Sequence, residues 1–172
     1  MAALNPQVIG KEMPHGFAGC YARQPDMIVE TRPAGGETPI PFGAPLVYDA
    51  TKPAVVAAGA GFTAAAFAGV AGAEIKTALT YLTQQEGQYA PGEPVSVFQR
   101  GSINVKAYGT PALGGTVYVR TAASGTYTTE PVGAFTATNE SGSTVALTNC
   151  QWGGPADANG IAELVILTKQ NA

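Results

Sequence analysis

The sequence has few of the residues on which enzymes, metal sites and redox proteins depend. Its only histidine is His15, and its two cysteines, Cys20 and Cys150, are far apart and in no Cys-x-x-Cys spacing. A Ser-His-Asp triad needs a histidine base, and a lone histidine in a proline-rich segment is usually a surface or packing residue. The cysteine spacing fits neither a zinc site nor a redox motif. We therefore expect two free thiols, no bound metal and no catalytic histidine.

The acidic residues and the glycine-rich pieces also lack the spacing of a catalytic or cofactor site. Glycines at 35–36, 59–61 and 153–154 match neither a phosphate-binding loop nor a dinucleotide fingerprint. Carboxylates without a partner are usually solvated surface groups. The glutamates interpreted in this way are Glu86, Glu93, Glu130, Glu140 and Glu163. The sequence thus predicts a protein that is not an enzyme and that carries no cofactor.

Charge of either sign is scarce, and long apolar runs are missing. Only 12% of the residues are charged, and the net charge is −3. A nucleic-acid-binding protein needs an excess of Lys and Arg, so nucleic acid is excluded as a partner. No apolar run approaches the roughly 20 residues that cross a bilayer, and the N-terminal residues lack the pattern of a secretion signal. We expect no membrane partner and synthesis in a cytoplasm.

Glycine and proline, in contrast, are plentiful, and residues 89–107 show how they divide the chain into strands. A Pro-Gly turn at 91–92 precedes two segments, 95–97 and 102–106, in which apolar and polar residues alternate. That period of two is typical of a half-buried strand. Gly101 marks a bend or bulge between the two segments. We predict an antiparallel pair here, with one solvated face.

Short apolar segments separated by turn residues recur along the rest of the chain. Residues 74–82 fit both a helix and a strand, and their Thr and Tyr content favours a strand. The last segment is apolar on both faces and should lie centrally in a sheet, whereas 145–147 and 150–152 are edge candidates. The predicted strands are 27–31, 44–48, 55–56, 64–71, 116–120, 132–137, 145–147, 150–152 and 161–167. This pattern predicts an all-β fold, a small β-sandwich or barrel with little helix.

Residues 1–39 are predicted to form an extended, proline-rich N-terminal arm, and residues 40–172 a β-rich domain. Residues 1–41 contain six of the thirteen prolines and no sustained period, which excludes a helix or a central strand. The segment is too apolar for a solvated tail, so it must lie on its own domain, a neighbouring copy or another protein. The candidate contact residues are Ile9, Met13, Phe17, Tyr21, Met27 and Ile28.

The order of several motifs resembles the tailed-phage capsid cement proteins. The resemblance covers roughly residues 39–168, and the order and spacing of the motifs carry it rather than any single one. The matching segments are 39–47, 67–71, 89–97, 100–105 and 115–120, followed by Trp152 and a final apolar strand at 160–167.

This resemblance implies a head decoration, or cement, protein that is added to the outside of an icosahedral capsid after the shell expands. Such a protein is structural, and its partners are the major capsid protein and further copies of itself, in a dimer or trimer. Its location is the outer capsid surface of the virion, after synthesis in the cytoplasm of a host bacterium. The residues of the arm then become candidates for capsid or neighbour contacts.

Two other classes of function remain open from the sequence. Small β domains with arms also recur among phage tail and baseplate proteins. A carbohydrate-binding β module is the second alternative, because aromatic side chains can stack on sugars, although Tyr in strands more often packs within the sheet. The stacking candidates are Tyr81, Tyr89, Tyr108, Tyr118, Tyr127 and Trp152.

Overall fold

The structure is a computed structural model, and it describes residues 14–73 and 87–168. Several predictions fall outside these ranges: the strand at 74–82, the contact residues Ile9 and Met13, the solvated acid Glu86 and the stacking candidate Tyr81. Within the described residues the chain forms eleven strands and one turn of 3₁₀ helix, Ala64–Ala66. The prediction of an all-β fold with little helix is confirmed.

The strands are numbered in chain order. They are β1 (Tyr21–Pro33), β2 (Ile40–Pro41), β3 (Pro45–Tyr48), β4 (Val55–Ala57), β5 (Phe67–Ala71), β6 (Gln88–Tyr89), β7 (Pro94–Tyr108), β8 (Thr116–Arg120), β9 (Phe135–Thr136), β10 (Thr144–Trp152) and β11 (Ile161–Ile166).

Five of these strands close on themselves into a small barrel. β7 pairs with β11, β11 with β10, β10 with β8, β8 with β9, and β9 returns to β7. All of these pairings are antiparallel except the parallel pairing of β9 with β7. Closure leaves no free edge between these strands. The interior is filled by apolar side chains, among them the fully buried Val119, Trp152 and Leu164.

The first half of β7 carries a second group of strands. β5 pairs with β7, β3 with β5, and β4 with β3, while β1 pairs with β7. A bridge between Ala34 and Val55 brings the chain just after β1 next to β4. These strands cover a second apolar cluster, which includes Ile40, Leu46 and Val97. Strand β7 is therefore shared by two cores.

Strand β7 differs from the antiparallel pair that the sequence predicts. That prediction is wrong, because residues 94–108 form one continuous strand. Gly101 adopts a φ of 105°, and it marks the place where β1 bulges between Arg23 and Ile28. The predicted solvated face is wrong for Ser102 and Asn104, which are buried, whereas Lys106 is exposed; the N-terminal segment lies over Asn104. Alternation along the strand cannot show that a distant segment covers its polar face.

Residues 21–33, which lie inside the predicted arm and include the predicted short strand 27–31, form the long strand β1. It runs antiparallel to β7, from Tyr21 opposite Ile103 to Pro33 opposite Pro94. The prolines fit because Pro25 lies in the bulge, where the pairing is interrupted, and Pro33 is the last residue of the strand. This part of the arm packs on the chain's own sheet, and the division of the chain at residue 39 stays a prediction.

Some of the other predicted strands are confirmed, and others differ from the prediction in their bounds or in the strands that they pair with. The strands at 116–120 and 161–167 are observed, and the second lies between β7 and β10, as a central strand should. The segments 145–147 and 150–152 join into β10, which pairs with both β8 and β11, so the edge prediction is wrong. The strand at 132–137 shortens to the two residues of β9.

The close approach of β1 to Gly101 gives a first testable prediction. A Cβ atom on Gly101 would overlap the carbonyl oxygen of Asp26, and the φ of this residue disfavours any L side chain. We expect Gly101→Ala to lower the free energy of unfolding by about 2–3 kcal/mol in a denaturant titration. Gly114 has a φ of 72° but open space around it, so Gly114→Ala should cost only about 1 kcal/mol. Equal losses would contradict the role of the β1 bulge.

Candidate interaction surface

The structure separates the predicted contact residues of the arm into two pairs. Phe17 and Ile28 are exposed, with 62% and 46% of their surfaces accessible. Tyr21 and Met27 instead pack on the barrel core, and the ring of Tyr21 lies 5.2 Å from that of Phe98. Among the described candidates, Phe17 and Ile28 are therefore the ones available to a partner.

The segment before β1 is attached to the barrel by polar contacts. The backbone N–H of His15 donates to Oδ2 of Asp157 at 2.9 Å, and its carbonyl accepts from Nδ2 of Asn104 at 2.6 Å. Backbone bonds join Gly19 and Cys20 to Asn104 as well. Hydrogen bonds from the backbone N–H groups of Ile161 and His15 lower the pKa of Asp157. These bonds fix the position from which Phe17 projects.

A groove lies between the bulge of β1 and the end of β11. Its volume is about 410 Å³, and its lining includes Pro25, Gly101 and Leu167. Two ion pairs join the bulge of β1 to the neighbouring strands β11 and β7. Arg23 pairs at 2.7 Å with the buried carboxylate of Glu163, and the hydrogen bond between them raises the pKa of Arg23. Arg100 pairs with Asp26 at 3.2 Å. The surface near Ile28 is therefore apolar in part and charged in part.

A buried cluster of charged groups is centred on Arg120, the last residue of β8. The guanidinium is fully buried: Nε and Nη2 donate to Oε2 of Glu130 at 2.9 and 2.6 Å, and Nη1 donates to Oε2 of Glu140 at 2.7 Å. Burial opposes the charged form, but the bonds to Glu140 and Glu130 outweigh it and raise the pKa of Arg120. Glu140 also accepts from Oγ of Ser124 at 2.9 Å. The hydrogen bonds from Arg120 and Ser124 hold the pKa of Glu140 below its usual value.

The sequence pattern did not reveal this cluster. The interpretation of Glu130 and Glu163 as solvated acids is wrong, because only 4% and 8% of their side-chain surfaces are accessible. Arg120 is the residue from which the cluster could have been predicted. It ends a strand that is otherwise uncharged, and a guanidinium that is buried there needs an anion. For Glu163, spacing could not supply the partner, because Arg23 and Glu163 are 140 residues apart.

Further observations concern metal binding, membrane spans, the two thiols and the aromatic residues that could stack on sugars. Within residues 14–73 and 87–168, no group of three His, Cys, Asp or Glu side chains could hold a metal ion. No helix in this part of the chain is long and apolar enough to cross a membrane. Both cysteines are free, and burial raises the pKa of the Cys150 thiol to about 12. Trp152 and Tyr89 are fully buried, so they cannot stack on a sugar.

Comparison with known protein families identifies the class of protein. Residues 5–167 match the family described as structural cement protein (E217 gp24/Pam3 gp6). The chain belongs to this family. It is a structural protein of a phage capsid, its place is the virion, and it associates with capsid proteins. The family description is structural and names no reaction.

Two solved structures resemble this cement protein. A chain from the capsid of Myoviridae phage XM1 matches with a TM-score of 0.69 and 16% identity, over 99% of this chain and 100% of that one. At this identity the likeness shows the fold alone. The N base of head fiber gp8.5 from bacteriophage phi29 matches with a TM-score of 0.41 and 13% identity, over 85% and 99% of the two chains, which is too low to support an argument. No curated protein sequence matches the chain.

The buried cluster gives a second prediction. Arg120→Met leaves the carboxylate of Glu130 buried without its cation, so the free energy of unfolding should fall by about 3–5 kcal/mol. The control is Asp26→Asn, which removes the exposed pair with Arg100 and should change stability by less than about 1 kcal/mol. Denaturant titrations of the three proteins measure both effects. A loss below about 1 kcal/mol for Arg120→Met would contradict a stabilising role of the cluster.

The lowered pKa of Glu140 gives a prediction on pH. A carboxylate whose pKa is lower in the folded state than in the unfolded state stabilises the fold above the unfolded pKa, and that stabilisation is lost as pH falls through the folded pKa. We therefore expect stability to fall on acidification below the ordinary pKa of a glutamate. Glu140→Gln should show a shallower decrease in the midpoint of thermal unfolding between pH 5 and pH 2. Parallel curves for the two proteins would contradict this assignment.

Proposed function

We propose that this protein is a capsid decoration protein that binds the outer surface of the expanded phage head and stabilises it by bridging neighbouring major capsid subunits. The observation that carries the proposal is the family match over residues 5–167. A protein that is rigid before it binds a preformed shell loses less conformational entropy on binding. A closed barrel with a second core beside it suits this task, because its strands are tied to each other on both sides.

The proposed contacts with the capsid or with a neighbouring copy lie in the N-terminal segment. Phe17 and Ile28 provide exposed apolar surface, and exposed apolar residues on a rigid scaffold are typical of protein interfaces. Ile9 and Met13 remain candidates from the sequence. Tyr21 and Met27 pack inward, so their proposed role is to hold Ile28 and the bulge in place.

Self-association into a dimer or trimer strengthens such binding. A contact of about 800 Å² per partner is a standard stable interface. When one oligomer makes two or three contacts with the shell, effective concentration raises the overall affinity by roughly 10² to 10⁴. Bridging then resists the outward pressure of packaged DNA, because several contacts must break before neighbouring subunits can separate.

Co-sedimentation with expanded, undecorated heads of the same phage tests this function. We expect saturable binding of the full-length protein and a rise in the temperature at which the heads release DNA. The double variant Phe17→Ser/Ile28→Ser should bind at least tenfold more weakly, which corresponds to about 1.4 kcal/mol. Point variants are preferable to truncation at residue 40, because truncation would remove β1 from the sheet.

The control for this experiment is Leu113→Ser. Leu113 is 80% exposed in the loop between β7 and β8 and is not part of the proposed contact, so its replacement should leave binding unchanged. If the unmodified protein stays in the supernatant, the cement function is wrong, and binding to phage tails and to sugars should be measured next. If the protein binds and the double variant binds equally well, the contact lies elsewhere on the surface.

A further inference from the structure

Strand β1 has one edge on β7 and a second edge that is open. Among the described residues, β1 pairs with β7 alone, and only the next residue, Ala34, bridges to β4. Residues 26–32 are the part of β1 between its two prolines, Pro25 and Pro33. An open strand edge is a template for a further strand, because its outward N–H and C=O groups lack a partner in the sheet. We call residues 26–32 the β1 edge.

The pairing with β7 shows which backbone groups of β1 point to the open side. Pro33 lies opposite Pro94, and neither residue has an N–H, so this pair is not hydrogen-bonded. Bonded and non-bonded pairs alternate along an antiparallel ladder, and the register is regular from Pro33 to Val29. The pairs through Thr31 and Val29 are therefore non-bonded as well. Their N–H and C=O groups point away from β7.

Two observations agree with this assignment. Ser96 lies opposite Thr31, and its carbonyl accepts at 2.8 Å from the N–H of Gly72, which follows β5 on the other side of β7. Ser96 thus directs its backbone groups away from β1, as a member of a non-bonded pair does. Val29 is 36% exposed, and Ile28 beside it is 46% exposed. The middle of the β1 edge is therefore accessible to a further strand.

The sequence of the β1 edge matches a second copy of itself. An antiparallel pair with a two-fold axis at Val29 places Asp26 opposite Arg32 and Pro25 opposite Pro33. Opposite charges then face each other at both ends of the pairing. The prolines, which cannot donate a hydrogen bond, fall just outside it. The ladder between two copies is thus bounded at both ends and cannot extend further.

Charge also disfavours the neighbouring registers. Residues that point to the open side must face one another, so the register changes only in steps of two residues. A step in one direction places Asp26 opposite Glu30, and a step in the other direction places Glu30 opposite its own copy. Like charges directly opposite each other are destabilising in a sheet. The charges therefore select the register that is centred on Val29.

The side chains that this pairing needs are accessible. Asp26 and Arg32 expose 73% and 36% of their side-chain surfaces. Within the chain, Asp26 contacts Arg100, and Arg32 contacts Glu30. Two copies in this register form a row of alternating charge: Arg100 and Asp26 of one chain, then Arg32 and Glu30 of the other. Such exposed pairs add little affinity, but they fix the register, while backbone hydrogen bonds supply the binding.

We propose that the β1 edge joins two copies of this chain into a dimer, through an antiparallel sheet centred on Val29. This inference rests on the proposed function, in which it assigns self-association to one surface and to one state, the dimer. A two-fold dimer carries two N-terminal segments, one from each chain. One capsid contact per chain is then enough to bridge neighbouring capsid subunits.

Sedimentation velocity of the full-length protein between about 1 and 100 µM measures the dimer without any capsid. We expect Val29→Pro to raise the dissociation constant roughly tenfold or more, because proline removes the N–H at the centre of the ladder. That N–H points away from β7, so the fold should persist, and circular dichroism and the midpoint of thermal unfolding verify this. If Val29→Pro does not fold, the charge variants described next decide alone.

Charge reversal tests the register without changing the backbone. Asp26→Arg and Arg32→Asp each place like charges opposite each other at both ends of the dimer, so each protein alone should dimerise about tenfold more weakly at low salt. An equimolar mixture of the two proteins restores opposite charges at both ends and should dimerise again. The double variant Asp26→Arg/Arg32→Asp, which exchanges the two charges within one chain, should dimerise as well.

The outcomes separate this inference from the proposed function. An unmodified protein that stays monomeric at about 100 µM, or that forms a trimer, overturns the dimer. An oligomer that the folded Val29→Pro variant retains unchanged, or a mixture of the two charge variants that does not associate, overturns the β1 edge as its site. In each of these cases binding to heads still tests the cement function independently. If the dimer forms as expected and does not bind heads, only the cement function is overturned.

Discussion

Strand β7 is the element on which the rest of the structure depends. Its second half closes the barrel through β11 and β9, and its first half supports β5 and β1 beside the second core. Phe98 pairs with both Val29 and Val70, and Ile103 pairs with both Tyr21 and Leu164. Because both edges of one strand are occupied along its length, the two cores are tied to each other by backbone hydrogen bonds. This link joins the two cores into one scaffold, on which the exposed Phe17 and Ile28 are held.

The sequence predicted the strands whose character is set locally. Segments 116–120 and 161–167 alternate or are apolar throughout, and both are strands in the structure. Prediction from the sequence failed where contacts with distant segments of the chain determine the structure. The glycine at 101 fits a turn as well as a bulge, and only the crossing of β1 distinguishes them. Of β1, only the short segment 27–31 was predicted, because Pro25 and Pro33 argue against a longer strand until their places in the bulge and at the strand end are known.

The candidate site was predictable to a smaller extent. An apolar N-terminal segment indicates that something covers it, and composition alone shows this much. Composition does not show which side chains turn inward: Tyr21 packs on Phe98, whereas Phe17 projects into solvent. The polar bonds from Asn104 and Asp157 that direct the segment join residues far apart in the chain. Sequence patterns therefore identified the segment, and the tertiary contacts selected the exposed residues within it.

The buried Arg120 cluster connects the stability of the fold with its surface. Replacing a buried ion pair by apolar side chains of similar size is often neutral or stabilising, so stability alone is a weak reason for burying a guanidinium. The cluster does two things that an apolar core would not do. It holds residues 121–143 through bonds to Glu130, Glu140 and Ser124, and it withdraws the charge of Glu130 from the surface. The cost of desolvating these charges is thus offset in part by a loop after β8 whose conformation is held by charge-assisted hydrogen bonds.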